Sequence, residues 1–325
     1  MNKNDLIKDS NIQTITNKDL VWVNITQPTR NKIIALAQKY PFHELNLDDC
    51  LSKIQIPKID KYHDHMFIIL HFPTSIKKEE NVPRFSQLSI FIGLNYLVTV
   101  HEGDLKPLVE KFQICNSQER QREIFMNESS GHLLYNIIDI LVDDLFNTLL
   151  KVMEDLHDIE DDVFNPKLAI AKEISYIRRE ITVLRRIIIP LRRIIIYMTN
   201  DVQKFSEQDL ILYFDDVKDH IDKVLEVLEE SKETIEIYKD TDYMLSTEKT
   251  NKILGVLTIL FTLSIPSTII GTLYGMNINL PGGIKPDSLY LFGPYTTFIL
   301  LLIISLVSAL LMAWYFHRLG WIRIK

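Results

Sequence analysis

The sequence predicts an α+β domain followed by a long α-helical stalk and two C-terminal transmembrane helices. Three observations support this fold class. The first part of the chain mixes alternating and helical patterns of apolar residues, the part after Gly131 is helical in pattern almost throughout, and two long uncharged stretches lie near the C-terminus. We therefore expect an N-terminal α/β domain at 1–125, a helical domain and stalk at 126–251, and a membrane domain at 252–325.

The two uncharged stretches occupy residues 253–284 and 288–316. Each is longer than the roughly 20 residues that an α-helix needs to cross a bilayer. We expect the first span at about 253–274, a connection at 275–287, the second span at about 288–316 and a basic tail at 317–325. The lipid bilayer is therefore a predicted partner of this chain.

The charged residues around the spans predict their orientation. The tail after Phe316 contains Arg318, Arg323 and Lys325, whereas the connection between the spans carries only Lys285 and Asp287. Because positive residues stay on the cytoplasmic side, both termini should face the cytoplasm. The first 20 residues are polar and lack the apolar run of a secretory signal. We expect a cytoplasmic N-terminal body with a net negative charge, since the whole chain of 325 residues carries −7.

Short period-two patterns predict the strands of the α/β domain, and helical patterns lie between them. The turn Gly93-Leu94-Asn95 separates the last two strands. The predicted strands are 21–26, 65–72, 87–92 and 96–101, and the predicted helices are 30–40 and 105–115.

Three long helices are predicted after the α/β domain. The first runs over about 132–164 and ends at Asn165-Pro166, because proline disfavours the helical conformation in the residue before it. The second runs over about 167–200. The third starts near Ser206 and continues to Leu273 through Pro266, where we expect a kink rather than a break. Such a helix is about 100 Å long and is unstable alone, so it should pack on the other helices or on copies of itself in a symmetric oligomer.

The two cysteines, Cys50 and Cys115, are too few for a disulfide framework and do not have the spacing of metal ligands. We expect both to be buried apolar residues in a reducing compartment.

The first span ends in the sequence Tyr274-Gly275-Met276-Asn277. This motif at the end of the penultimate span, followed by a short loop, a final span and a basic tail, resembles the CorA family of Mg²⁺ and Co²⁺ transport proteins. The resemblance also covers Asn251, Leu257-Thr258-Ile259, Pro266, Gly271, Leu134-Tyr135 to Asp143-Asp144, Pro190-Leu191-Arg192 and Tyr213 to His220. It implies a funnel-shaped homopentamer in a bacterial or archaeal inner membrane, with the long helix and first span lining a pore.

The chemistry of the motif agrees with this resemblance. Mg²⁺ prefers six oxygen ligands and gives up its water slowly, so a passive path should hold the hydrated ion by hydrogen bonds. The amide of Asn277 accepts such bonds, and Gly275 lets the backbone turn and approach an axis because it has no Cβ. The alternative is an ordinary helix end without a ligand role.

Residues spaced by about 3.5 positions form a seam along the first span. One side of this helix can therefore face a common axis. The seam is Asn251, Leu254, Thr258, Phe261, Ile265, Thr268 and Thr272. By resemblance, the pore-lining residues are Asn251, Leu254, Leu257, Ile265 and Thr268. Apolar members suit a gate that closes by dewetting, and Asn251 and Thr268 offer oxygen to a hydrated ion. The alternative is that these residues only pack helix against helix.

The part of the third helix before the membrane is strongly acidic, with 14 Asp or Glu against 4 Lys between Ser206 and Glu248. Such a run is often a solvated face. Alternatively, carboxylates of neighbouring subunits meet there and bind divalent ions, so that the ion is both cargo and effector. The resemblance places Asp216 in a regulatory metal site and makes Asp143 a second candidate ligand. It also implies a third ligand from the N-terminal domain, and our own candidates for that position are Glu79 and Glu80.

Arginine pairs recur every seven residues on the second long helix, at Arg178-Arg179, Arg185-Arg186 and Arg192-Arg193. Isoleucines rather than aromatic residues lie between these pairs, and the chain as a whole is acidic, so nucleic-acid binding is not expected. We expect the arginines to pair with acidic helices of the same protein.

Three histidines, His63, His65 and His71, share a face of a predicted strand. A zinc site is one interpretation, but without a nearby carboxylate or cysteine set we expect a polar sheet surface. Because the chain contains no Walker loop, zinc-protease motif or nucleophile elbow, we expect no enzyme activity and no organic cofactor.

The leading hypothesis is a passive channel for hydrated Mg²⁺, and also for Co²⁺ or Ni²⁺, driven by the membrane potential and closed by cytoplasmic Mg²⁺. One alternative is a Zn²⁺ transporter of the ZntB type on the same scaffold. Another is a membrane-anchored structural or sensor protein that conducts nothing.

Overall fold

The computed structural model describes residues 12–52, 55–74, 84–165, 168, 170–276 and 296–320. The chain divides into two units, Met1–Thr241 and Asp242–Lys325. The first unit contains a β-sheet with its covering helices and most of the long helices. The predicted boundary between residues 125 and 126 lies within this unit, because one face of the sheet shares a single apolar core with those helices.

The sheet of the first unit has six strands in the order β1-β2-β6-β5-β4-β3. The parallel pair is β2 with β6, and the remaining neighbours are antiparallel. The strands are β1 Ile12–Asn17, β2 Leu20–Thr26, β3 Lys58–Lys61, β4 His65–Thr74, β5 Arg84–Gly93 and β6 Tyr96–His101.

The four predicted strands are confirmed as β2, β4, β5 and β6. The prediction missed β1 and β3, the two edge strands of the sheet. Both are short and carry more polar or half-exposed residues than the inner strands, so their apolar signal is weak. The central strands are the opposite case: β4 is buried along almost its whole length because both faces of the sheet are covered.

Two layers of helices cover the sheet. One face packs Phe67, Ile69 and Phe91 against α1 (Arg30–Lys39) and α2 (Glu44–Asp49). The opposite face packs Trp22 and Ile90 into the larger core with α3 (Lys106–Ser117), α4 (Glu119–Phe125) and α5 (Ser130–Asp158). The predicted helices at 30–40 and 105–115 are α1 and α3. Both cysteines are buried free thiols, Cys50 at the C-terminal end of α2 and Cys115 on α3, as expected.

The remaining helices are α6 (Glu160–Val163), α7 (Ala171–Val202), α8 (Ile211–Gly275) and α9 (Thr296–Arg318), with a 3₁₀ turn at Gln203–Phe205. The first predicted long helix ends earlier than expected, at Asp158, and Ile159 separates it from α6. Pro190 and Pro266 lie inside unbroken helices. The predicted stop at Asn165-Pro166 falls partly outside the described residues, since Pro166 is not among them.

The third long helix begins at Ile211 rather than near Ser206. The side chain of Gln203 explains this difference, because it holds the preceding turn in a non-helical conformation. Its Nε2 donates to the carbonyl of Gln208 at 2.7 Å, and its Oε1 accepts from the backbone N–H of Leu210 at 2.9 Å. The carboxylate of Asp209 accepts from the N–H of Ile211 at 3.0 Å. This bond satisfies a donor at the helix start.

Buried residues recur at alternating steps of three and four along both α7 and the first part of α8. Such a repeat of 3.5 residues produces the seam of a coiled coil. On α8 the buried residues are Phe214, Val217, Ile221, Val224, Leu228, Ser231, Ile235 and Tyr238. On α7 the matching series is Ile174, Ile177, Ile181, Leu184, Ile188, Leu191, Ile195, Met198 and Val202. Both series belong to the core that also contains α5.

The second unit contains the end of α8 and all of α9. Both helices have an apolar stretch long enough to cross a membrane, and neither stretch is buried within the chain. Because the hydroxyls of Ser267 on α8 and Ser305 on α9 lie 2.5 Å apart, the two helices are hydrogen-bonded to each other. The predicted second span begins at residue 288, but residues 288–295 lie outside the described part of the chain.

Candidate functional site

A cluster of potential metal ligands lies between α5 and α8 in the first unit. Asp139, Asp143 and His220 each present a ligand atom, and these atoms lie within 4.8 Å of one another. The imidazole of His220 also lies between two carboxylates. Its Nδ1 is 3.9 Å from Oδ1 of Asp143, and its Nε2 is 3.9 Å from Oδ1 of Asp216. Asp139, Asp143 and His220 thus share one small volume, and Asp216 lies on the opposite side of the imidazole.

Helical spacing brings these side chains together. Asp139 and Asp143 are four residues apart on α5, and Asp216 and His220 are four apart on α8, so each pair shares one helix face. The two helices run in the same direction, because the ring of Tyr135 contacts Tyr213 at a centroid distance of 5.0 Å before Asp143 meets His220. The cluster is therefore a property of how α5 and α8 align.

Aromatic rings limit the cluster at both ends. The ring of Phe146 meets His220 edge to face, with centroids 5.8 Å apart. At the other end, Tyr135 packs against Tyr213 and Phe214. The contact with Phe146 helps to hold the imidazole of His220 in place.

The electrostatics of the cluster reflect its excess negative charge. Burial raises the pKa of Asp139, as do the neighbouring carboxylates of Asp143 and Asp216, while His220 acts in the opposite direction. Burial raises the pKa of Tyr135 to about 12, with smaller contributions from Asp139 and Asp216. A divalent cation would offset only the smaller part of these shifts, which comes from the neighbouring negative charges.

The imidazole has unused bonding capacity. Nδ1 of His220 is buried and has no hydrogen-bond partner in the described part of the chain. Asp143 and Asp216 remain open to solvent, with side chains 62 % and 60 % exposed. A neutral imidazole nitrogen suits Co²⁺, Ni²⁺ or Zn²⁺, whereas carboxylate oxygens suit Mg²⁺. The arrangement can therefore accept either class of divalent ion.

The structure places two of the predicted regulatory residues in one cluster, Asp143 and Asp216, both next to His220. The prediction did not assign Asp139 and His220 to the site. Both could have been predicted from helical spacing, because Asp139 lies four residues before Asp143 on α5 and His220 lies four residues after Asp216 on α8. Glu79 and Glu80 lie outside the described residues.

The predicted selectivity mouth lies where α8 ends. Tyr274 and Gly275 are the last residues of α8, Met276 follows in a bend, and Asn277 lies outside the described residues. Gly275 has open space around it, since a Cβ built on it meets no atom within 4 Å. The backbone at this position can therefore approach another chain.

The predicted pore-lining residues all lie on α8 and are exposed in the single chain; Asn251 comes just before the predicted first span, and the other four lie within it. They are Asn251, Leu254, Leu257, Ile265 and Thr268. The hydroxyl of Thr268 donates to the carbonyl of Ser264 at 2.9 Å, so its lone pairs can still accept a hydrogen bond. A row of exposed apolar side chains on a membrane helix requires lipid or another chain to cover it.

The first arginine of each pair on α7 forms an ion pair with a carboxylate of α8, so the predicted acidic partners within the same protein are confirmed. Nε of Arg178 lies 2.6 Å from Oε1 of Glu236. Arg185 pairs with Glu229, and Arg192 pairs with Asp222. We call these three ion pairs the α7–α8 ladder. Because the residue numbers rise on one helix as they fall on the other, α7 and α8 are antiparallel.

The histidines of β4 do not form the expected polar sheet surface. His65 and His71 are buried on the same face as Phe67, while His63 lies before the strand and is exposed. His65 hydrogen-bonds Asp64 and stacks on Tyr62, whereas His71 stacks on Phe85. Burial lowers the pKa of His71 to about 4. The expectation was wrong because helices α1 and α2 cover this face.

Comparisons with known proteins agree on one family. The model of the family described as CorA-like Mg²⁺ transporter protein matches residues 17–318. The cobalt/magnesium transport protein CorA of Thermotoga maritima is 28 % identical over 306 residues, covering 93 % of this chain and 83 % of that protein. The zinc transport protein ZntB of Pectobacterium atrosepticum is 28 % identical over 194 residues, covering 59 % of this chain and 57 % of that protein.

A solved structure shares the fold. The complete structure of the CorA magnesium transporter from Methanocaldococcus jannaschii superposes with a TM-score of 0.75 at 21 % sequence identity. The match covers 95 % of this chain and 94 % of that one. The likeness therefore extends over nearly the whole chain.

Proposed function

The chain belongs to the CorA-like Mg²⁺ transporter family, whose model matches residues 17–318, and from this membership we propose that it is a passive channel for hydrated Mg²⁺. Co²⁺ and Ni²⁺ are further cargo. The proposed driving force is the membrane potential, about 2.3 kcal/mol per elementary charge for each 100 mV, without a catalytic step. Cytoplasmic Mg²⁺ bound between subunits closes the channel.

The proposed closure by cytoplasmic Mg²⁺ is supported by one observation, the position of His220 between Asp143 and Asp216. Several carboxylates held this close repel one another, and a divalent ion offsets that repulsion. A site open to solvent loses its ion when the cytoplasmic concentration falls. The repulsion that returns then favours separation of the elements that carry the carboxylates, which is the physical basis of opening.

The conducting part of the proposal rests on the exposed face of α8. Its membrane stretch is unburied in the single chain, although it carries polar side chains such as Thr268, and Asn251 is exposed just before this stretch. Copies of the chain around a common axis would cover this face and give these groups a water-filled path. We propose five copies, with the mouth formed by Tyr274, Gly275, Met276 and Asn277.

The proposed location is the cell membrane of a bacterium or archaeon, with both termini in the cytoplasm. In this orientation the cluster of Asp139, Asp143, Asp216 and His220 samples cytoplasmic ions. The helix end at Gly275 then lies on the outer side, where hydrated ions enter.

A second candidate is Zn²⁺ transport on the same scaffold. One specific observation favours it, because His220 adds an imidazole to the carboxylates and imidazole is a common zinc ligand. The similarity to a zinc transport protein over part of the chain points in the same direction. The mouth sequence and the carboxylate majority in the cluster favour Mg²⁺.

Uptake into liposomes tests the proposal. The purified full chain should admit Mg²⁺ down an imposed potential, with competition from Co²⁺ and Ni²⁺. Asn277→Ala should abolish uptake, whereas the control Asn279→Ala, two residues away, should retain it. Zn²⁺ uptake without Mg²⁺ uptake would replace the proposed cargo. Absence of any flux would favour a structural or sensor protein instead.

A further inference from the structure

One side of the membrane stretch of α8 is partly buried within the second unit. The partly buried residues recur once per helical turn, which places them on a single face of the helix. They are Gly255, Ile259, Thr262, Leu263, Pro266 and Ile270. The other described helix of this unit is α9, so this is the face of α8 that packs on α9.

The helix α9 has a matching face. From Leu301 onward, its partly buried residues also recur once per turn. They are Leu301, Ser305, Ser308, Ala309, Met312, Ala313 and Phe316. Ser305 therefore lies within the face of α9 that packs on α8.

The residues predicted to line the pore lie on another side of α8. At about 100° per residue, Leu257 and Thr268 lie nearly opposite the face that packs on α9, and Leu254 and Ile265 lie more than a quarter turn from it. All four are exposed in the single chain. The helix α9 thus supports α8 from behind and leaves the predicted pore side free.

A hydrogen bond between two side chains joins the two helices. The hydroxyl oxygens of Ser267 and Ser305 lie 2.5 Å apart. The other serine and threonine hydroxyls of the first span donate to carbonyls of their own helix, at Thr258, Thr262, Ser264, Thr268 and Thr272. Side-chain hydrogen bonds between membrane helices help to fix how the helices pack. The bond from Ser267 to Ser305 therefore ties this part of α8 to α9.

The bond is attached where α8 bends most easily. Pro266 has no backbone N–H, so the carbonyl of Thr262 lacks the donor that an ordinary residue would supply four positions later. Helices bend preferentially at such positions. Ser267 follows Pro266 directly, and the predicted pore residues Ile265 and Thr268 lie on either side of this pair. A tether at Ser267 therefore limits movement of the segment that presents both pore residues.

We propose that Ser305 is a positioning residue of the pore. Through its bond to Ser267 it holds the segment of α8 at Pro266 against α9. This contact fixes the places of Ile265 and Thr268 at the axis when the channel is closed. Without the bond the segment bends more freely, and closure needs more Mg²⁺. The inference rests on the proposed channel function and adds a residue that does not touch the ion.

Mg²⁺ uptake into liposomes by the full-length protein tests this role. Ser305→Ala and Ser267→Ala should each raise the Mg²⁺ concentration needed for closure by about three-fold, the size expected for one hydrogen bond between membrane helices. The double variant should show the same shift as each single variant, because all three lack the same bond. Ser305→Thr keeps a hydroxyl and should close as the wild type does.

Ser308→Ala is the matched control. Ser308 lies on the same face of α9, but its hydroxyl donates to the carbonyl of Ser305 on its own helix at 2.9 Å. This variant should close as the wild type does. An equal shift in Ser308→Ala, unchanged closure in both single variants, or a shift in Ser305→Thr as large as that in Ser305→Ala overturns the proposal.

A reversible covalent bond provides a second test. Ser267→Cys combined with Ser305→Cys should form a disulfide within one chain on oxidation, detected by peptide mass analysis of the monomer band. The control, Ser267→Cys with Met312→Cys, places the second thiol about 10 Å further along the same face of α9. It should give about ten-fold less linked product, since a disulfide requires closely placed Cα atoms.

The linked protein should also restore the tether. In its oxidised form, the variant with Ser267→Cys and Ser305→Cys should close as the wild type does. Reduction with dithiothreitol should raise the closing concentration as Ser305→Ala does. Equal closure before and after reduction, or equal linkage in the control, contradicts the proposed role of the contact.

The two proposals fail in different ways. Absence of ion flux through the wild-type protein overturns the channel, and the role of Ser305 with it, although the disulfide between the two helices would still form. Normal flux with unchanged closure in the alanine variants leaves the channel in place and removes Ser305 from its positioning role.

Discussion

The Nε2 atom of His220 lies 3.9 Å from Oδ1 of Asp216, one helical turn earlier on α8. This distance is too long for a direct hydrogen bond and leaves room for an ion or a water molecule between the two groups. Because the opposite ring nitrogen faces Asp143 on α5, the imidazole connects two helices of the same unit.

Removal of the imidazole should change which ion the cluster binds. We expect His220→Ala to weaken Co²⁺ or Ni²⁺ binding by about ten-fold or more, with a smaller effect on Mg²⁺, because imidazole is a better ligand for the first two ions. Isothermal titration of the purified protein with each metal measures the effect. His157→Ala is the matched control, since His157 is exposed at the end of α5. Equal losses for Mg²⁺ and Co²⁺ would contradict a ligand role for the ring.

Reversal of the charge at Asp216 should uncouple closure from conduction. Asp216→Lys places a fixed cation where we propose that the regulatory ion binds, so uptake should persist while about ten-fold more Mg²⁺ is needed to stop it. Liposome uptake at a series of Mg²⁺ concentrations on the cytoplasmic face measures both quantities. Asp215→Lys, on the adjacent exposed residue, is the control. An unchanged closing concentration in Asp216→Lys would remove this residue from the regulatory site.

The ion pair between Arg192 and Asp222 should contribute modestly to stability. Nη2 of Arg192 lies 3.2 Å from Oδ2 of Asp222, and its Nε forms a second hydrogen bond to the same carboxylate. Both side chains are partly exposed, so solvent screens the pair and we expect a coupling free energy of about 0.5 kcal/mol that shrinks at high salt. A double-mutant cycle with Arg192→Met and Asp222→Asn measures it. The same cycle with Arg186 in place of Arg192 should give a coupling near zero.

The buried carboxyl of Glu180 should make the protein less stable as pH rises. Glu180 on α7 is 5 % exposed, and burial raises its pKa from 4.5 to about 7, helped by Asp155 and opposed by Lys151. The folded state therefore holds this proton more tightly than the unfolded state does. The contribution is fully present below pH 4.5 and is lost as pH rises through 7, by at most about 3 kcal/mol.

Thermal unfolding of Glu180→Gln between pH 5 and pH 8 tests this expectation. The variant should match the wild type at pH 5, where Glu180 is protonated, and exceed its melting temperature at pH 8. Glu173→Gln, an exposed site on the same helix, should leave the pH dependence of the wild type unchanged. A wild-type pH profile that persists in Glu180→Gln would assign the effect to another group.

Local patterns in the sequence were sufficient for most secondary structure. Alternating apolar residues predicted the four inner strands of the sheet, and the helical pattern of apolar residues predicted α7 and α8. The edge strands β1 and β3 were missed because a strand with solvent on one side carries fewer apolar residues. The start of α8 was predicted too early, since the side chain of Gln203 satisfies backbone groups from several residues away.

The sequence by itself determined the α+β class, the two membrane stretches and the resemblance to the CorA family, from which Asp143 and Asp216 are proposed as regulatory ligands. It did so because periodicity, absence of charge and short motifs are properties of neighbouring residues. Only the tertiary structure decided that His220 lies between those carboxylates, that His65 and His71 are buried, and that one arginine of each pair is bound while the next faces outward. These features depend on how helices and sheet align across long separations in the chain, and that alignment is set by packing of the whole core.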